Sequence, residues 1–153
     1  MEIHRIRLHG PWEARTLDGA SATGLLESRW LTKTAISGPG VTVRLPGEIR
    51  MPDHCESDIA NGRRLLLLRR FNRPTGLNAD QTVIVGCWSD TEVIGAWLNE
   101  DLLLPTALNF PAAASFCCLL PVERMAAYNS LGLVLDLNGR HRIQISQVAL
   151  GIV

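Results

Sequence analysis

The sequence lacks an excess of charge. Fifteen basic residues balance fifteen acidic ones, so no global field draws the chain to nucleic acid or to an anionic membrane. Long apolar runs are missing too. No stretch approaches the ~20 residues that span a bilayer, and the opening MEIHRIRLHG has no apolar core of signal-peptide length. The expected location is therefore the cytoplasm. Metal-binding spacings are also absent. The four cysteines, Cys55, Cys87, Cys117 and Cys118, form no CxxC pair. Cys117 and Cys118 are adjacent, so on a strand they face opposite ways, and buried free thiols are the expected state of most of the four. There is no internal repeat and no low-complexity segment.

What remains is a chain of 153 residues with 46 % apolar and 20 % charged content. That composition folds rather than staying disordered, and the length suits one domain, 1–153, with a sizeable core. Its centre is residues 65 to 102. Three short apolar runs lie there, Leu65 to Phe71, Thr82 to Trp88 and Glu92 to Leu98. Asn72, Pro74, Gly76 and Asn78 separate the first two, and Ser89 and Asp90 the next two. Runs of this length between such breakers predict strands. The middle run is apolar on both parities, with Val83 and Val85 on one and Ile84 and Trp88 on the other, so it belongs inside, covered on both faces.

The flanks extend the pattern. Residues 2 to 9 predict a strand ended by Gly10 and Pro11. Residues 12 to 40 predict a long connection with a short helical face from Ala22 to Leu31. Val41 to Leu45 predicts a strand stopped by Pro46 and Gly47, and residues 47 to 64 a polar connection. Asn99 to Asp101 predicts a reversal, Ser115 to Leu120 a strand, and Pro121 to Tyr128 one or two helical turns. Leu131, Leu133, Leu135 and Leu137 alternate along another strand, which Asn138-Gly139 turns into a hairpin. The last strand changes phase. Ile143 and Ile145 share one parity, Val148, Leu150 and Ile152 the other, and a bulge near Ser146 and Gln147 reconciles them. The sum is about eight or nine short strands and little helix, the spacing of an all-β antiparallel sandwich.

The order of these segments resembles the sugar-binding domain of family 2 glycoside hydrolases. LLLLRRFNRPTGL resembles that domain's arginine-bearing strand, and TVIVGCWSDTEVIGAWLNEDLL its next hairpin. NSLGLVLDL resembles its strand opening on Asn, and QVALGIV its closing strand. The resemblance implies a jelly-roll sandwich of galactose-binding-like fold with one or two short helices, and a non-catalytic role, since the hydrolases' catalytic barrel is absent. A structural calcium is known across that fold, but no ligands for one can be assigned here. The sequence departs from the family at the Asn-Gly turn, where Glu100 follows Asn99. Positive φ at Glu100 would be strained by ~1 kcal/mol.

In an antiparallel sandwich the connections alternate between two ends. One end is expected to hold residues 10 to 40, 72 to 80, 99 to 101 and 121 to 128. The other is expected to hold 46 to 64, 89 to 91, 105 to 114 and 138 to 142. The second end collects Asp53, His54, Glu56, Asp58, Asp90, Asn109, Arg140 and His141, with Trp88 at its edge. Carboxylates and amides take up sugar hydroxyls, and an aromatic ring stacks on the apolar face of a pyranose. Asp53, His54, Glu56, Trp88, Asp90, Asn109 and His141 are therefore the expected ligand-binding residues; the bland alternative is a solvated loop end over a core Trp88. Asp53 to Glu56 offers no metal or nucleophile geometry, since consecutive residues on a strand cannot face one ion and no second histidine stands at ligand spacing. Of the neighbours Arg69 and Arg70, one is expected in solvent, and the other, if inward, on a carboxylate such as Asp136 or Glu92. The expected function is carbohydrate binding without catalysis or cofactor. The alternative is a protein-interaction or assembly module, with a protein partner or a homo-oligomer.

Overall fold

The computed structural model describes residues 3–17, 40–50, 64–108, 110, 113–137 and 139–153. Its strands are β1 (His4–Arg7), β2 (Gly10–Leu17), β3 (Val41–Leu45), β4 (Gly47–Arg50), β5 (Arg64–Asn72), β6 (Val83–Ser89), β7 (Val93–Leu98), β8 (Asp101–Leu102), β9 (Phe116–Leu120), β10 (Tyr128–Asp136) and β11 (Arg142–Ile152). A 3-10 turn, Val122–Arg124, follows Pro121. All strand pairs are antiparallel. One sheet runs β1-β11-β6-β9, with β4 also on β11, and the other runs β3-β2-β5-β10-β7-β8. The fold is an all-β sandwich.

Alternation builds the core. Leu65, Leu67 and Phe71 of β5, Leu131, Leu133 and Leu135 of β10, and Val83, Val85 and Cys87 of β6 all point between the sheets. Each such side chain contributes about 1.5–3 kcal/mol on full burial. The outer faces are not bare. Leu17, Leu66, Trp97 and Val134 cluster outside the six-stranded sheet, and Ile84, Phe110 and Ala149 outside the other. The expectation that Val83 to Trp88 is interior holds: β6 lies between β11 and β9, and its first five residues are fully buried.

The phase change in β11 is a bulge. Ile145 pairs with Ser89 and Gln147 with Trp88, so Ser146 has no partner on β6. Ile143, Ile145, Val148 and Leu150 all reach the core as a result.

Two strands differ from expectation. Gly10 and Pro11 do not end a strand but open one, since β2 continues to Leu17 between β3 and β5. Gly47 begins β4 instead of a polar connection. Both strands carry polar residues on their outward parity, so their pattern is too weak to reveal pairing that comes from the neighbours. The missed β2 also changes the sorting of ends. Leu17 pairs with Arg64, which meets Asp136, so β2 finishes at the end that holds residues 89–91. The expected groupings of 72–80 with 99–101 and 121–128, and of 89–91 with 139–142, are observed. The helical face from Ala22 to Leu31, Trp30, Cys55 and Asn138 lie outside the described residues.

At the β7–β8 reversal Asn99 takes the positive φ, 57°, so Glu100 carries no left-handed strain. Of the arginine pair, Arg70 is the one in solvent. Arg69 meets the carbonyl of Pro11 at 3.0 Å rather than a carboxylate. Asp136 is engaged by Arg64 instead, at 3.4 Å.

Candidate functional site

The end of β6 carries the described part of the expected site. The chain leaves the five-stranded sheet at Ser89 and enters the other at Val93. Asp90 locks this crossing to β11. Its amide donates to the Gln144 carbonyl at 3.0 Å, and its Oδ1 accepts from the Gln144 amide at 2.8 Å. Arg140 adds two bonds, Nη1 to the Asp90 carbonyl at 2.8 Å and Nη2 to Oδ2 at 2.7 Å. Desolvation works against the charge on Asp90. The Gln144 amide and the Arg140 guanidinium outweigh it and hold the carboxyl below its ordinary 3.8. Ser115 secures the other side. Its hydroxyl donates to the Cys87 carbonyl at 2.8 Å and accepts from the Ser89 amide at 3.0 Å.

Beside this crossing lies a cleft of about 350 Å³, lined by Trp88, Asp90, Ala114, Ser115, Gln144 and Ser146 among others. Trp88 is half-buried, and its ring meets Phe110 edge-on, with centroids 4.9 Å apart. Phe110 lies over two glycines. A Cβ at Gly86 would come within 2.7 Å of its ring, and one at Gly151 within 2.8 Å. The glycines thus hollow the outer face of β6 and β11 so that the ring can seat there. The Arg5 guanidinium lies 5.4 Å from the Trp88 centroid and 5.3 Å from that of Phe110, the distance of a cation–π contact.

Of the expected site residues, Trp88 and Asp90 share this cleft. His141 is exposed beside Arg140. Asp53, His54, Glu56 and Asn109, with Asp58, lie outside the described residues. Arg5, Phe110, Ser115 and Gln144 were not singled out by sequence. The two glycines inside apolar strands were the available signal, because they mark a close approach.

The described thiols do not offer a nucleophile. Burial pushes Cys87 up to about 12 and raises Cys118 and Cys117 as well. Cys118 faces the core and Cys117 the outer cluster, as their adjacency predicts. Among the described residues no group of three or more His, Cys, Asp or Glu is placed to hold a metal ion. No described helix is long and apolar enough to cross a membrane. A second cleft of about 390 Å³ lies toward the opposite end, between Thr82, Leu104, Leu119, Glu123 and Arg124. Among the described residues no aromatic ring lines it.

No family model and no curated protein matches the sequence. Among solved structures, Faecalibacterium prausnitzii Beta-glucuronidase matches with a TM-score of 0.54 at 15 % identity, over 88 % of this chain. The match covers 21 % of the neighbour, so this chain spans about a fifth of that protein's length. A likeness at this identity is one of fold. It agrees with the all-β antiparallel sandwich that the strand motifs imply.

Proposed function

We propose that this chain is a non-catalytic carbohydrate-binding module whose site is the cleft beside Trp88. The observation that carries the reading is the ring itself, half-buried at the rim of a cleft edged by Ser115, Gln144 and Ser146. A pyranose has an apolar face and a rim of hydroxyls. An aromatic plane with short polar neighbours suits both. The fold neighbour is a glycoside hydrolase of which this chain spans a fifth, which suits a role apart from the chemistry. Asp90 serves the site by holding β6 to β11, since both carboxylate oxygens are already engaged.

The assembly reading draws less support. Among the described residues the exposed large apolar side chains are Val41, Leu104, Leu108 and Tyr128. Val41 sits on β3 and Tyr128 on β10 of the six-stranded sheet, whereas Leu104 follows β8 and its carbonyl accepts from the Leu119 amide of β9 in the other sheet. Spread in this way, they are ordinary surface and not a docking patch.

A glycan array followed by calorimetry tests the proposal. The intact protein is expected to bind a subset of glycans, with affinity lowered about tenfold in Trp88→Ala, the effect of losing ~1.5 kcal/mol of ring contact. Gln144→Ala, at an exposed position, is expected to weaken binding while leaving the thermal midpoint unchanged. Binding to no glycan, or unchanged binding in both variants, would sink the proposal.

A further inference from the structure

The outer face of the five-stranded sheet carries more than Trp88. Register places Gln147 beside Trp88, Ala149 beside Arg7 and Gly151 beside Arg5. Further along β11, Gln144 lies opposite Glu48 and Arg142 opposite Arg50. From Arg142 to Gly151 this face runs on the order of 30 Å at ~3.3 Å per residue. Among the described residues its charges do not cancel. Glu48 is taken by Arg50 at 2.7 Å and Asp90 by Arg140 at 2.7 Å. Among the described residues Arg5, Arg7 and Arg142 have no acidic partner. Arg142 even stands directly across from a second arginine, an arrangement that costs stability. Between these cations Gln147 presents a buried Nε2 with no hydrogen-bond partner.

Among the described residues the face is therefore rich in cationic donors. Arginine and a side-chain amide nitrogen only donate. The acceptor with the most capacity, Asp90, is engaged at both oxygens. A neutral sugar hydroxyl needs an acceptor as much as a donor. A sulfate or carboxylate needs donors alone and pairs with arginine by charge-assisted bonds. Building on the carbohydrate reading, we propose that this face binds an acidic saccharide. Its sulfate or carboxylate groups are held by Arg5, Arg7 and Arg142, and one of its rings lies on Trp88. Balanced overall charge argues against nucleic acid as the occupant, because the cations form a local strip on a chain with fifteen charges of each sign.

The test is an array printed with neutral, carboxylated and sulfated glycans, probed with the intact chain at low and at physiological salt. A single-stranded oligonucleotide serves as a polyanion without sugar rings of the pyranose kind. Carboxylated or sulfated glycans are expected to dominate, and their binding to fall with salt. Arg7→Gln and Arg142→Gln change exposed residues; each is expected to weaken acidic glycans about two- to fivefold, the range of a solvent-exposed charge contact. Neutral glycans bound as tightly as acidic ones would overturn this inference and leave the carbohydrate reading standing. No glycan bound would overturn both. An oligonucleotide bound as tightly as the best glycan, and unaffected by Trp88→Ala, would overturn the saccharide in favour of a surface that recognises charge alone.

Discussion

Asn99 and Asn129 show how single side chains fix the end of the sandwich opposite the cleft. Asn129 is buried, and its amide closes on one residue, accepting from the Ala126 amide at 2.9 Å and donating to the Ala126 carbonyl at 2.8 Å. Asn99 Nδ2 donates to Asn129 Oδ1 at 3.3 Å, and its own Oδ1 accepts from the Ser130 amide at 2.9 Å. Asn129 stands second in β10, and Asn99 tolerates the left-handed φ of 57° that a bulkier residue resists. The sequence marked both as separate motifs; their meeting depends on β10 and β7 being neighbours, which periodicity does not reveal. Asn129→Ala strips both Ala126 groups of their partner, and a loss of about 1–3 kcal/mol is expected in urea unfolding. At Asn99, replacement by Gly is expected to cost ~1 kcal/mol less than replacement by Ala, since only Ala keeps the left-handed strain.

At the scale of elements, β11 was legible and β2 was not. In β11 the inward residues are all large and aliphatic, so a shift of parity between Ile145 and Val148 has only one economical explanation, an inserted residue. In β2 only Trp12 and Ala14 point to the core, and Gly10-Pro11 imitates a stop. Its strand identity comes from pairing with β3 and β5. Pro11 is tolerated because the pairing with β5 starts only at Glu13. The bulge gives a sharp test. Deleting Ser146 turns Gln147 through Ile152 over, sending Val148 and Leu150 outward and Ala149 inward. That variant is expected to lose its cooperative unfolding transition, as followed by circular dichroism. Ser146→Ala, which keeps the residue count, is expected to stay within ~0.5 kcal/mol of the parent. A deletion variant with a normal transition would show that the phase of β11 is not set by the extra residue.

For the whole molecule, the alternation rule places Trp88, Asp90 and Arg140 at one end, and there the three are found together. Residues 10 to 17, expected in a connection at one end, instead run as β2. Parity says nothing about what lies outside a sheet, and there the molecule departs from a sandwich with wet outer faces. Leu66 and Leu67 are neighbours on β5 that point opposite ways, and both are 0 % exposed. Leu66 packs with Leu17, Trp97 and Val134 on the outside, so part of the outer face of the six-stranded sheet is dry as well. A buried leucine costs about 2–5 kcal/mol when truncated to alanine, whichever side of a sheet it occupies. Leu66→Ala and Leu67→Ala are therefore expected to lower the free energy of unfolding by similar amounts in that range, measured by urea titration at constant slope. A solvated outer face would instead leave Leu66→Ala within ~0.5 kcal/mol of the parent, and that result would show that the outer cluster adds nothing to the stability of the fold.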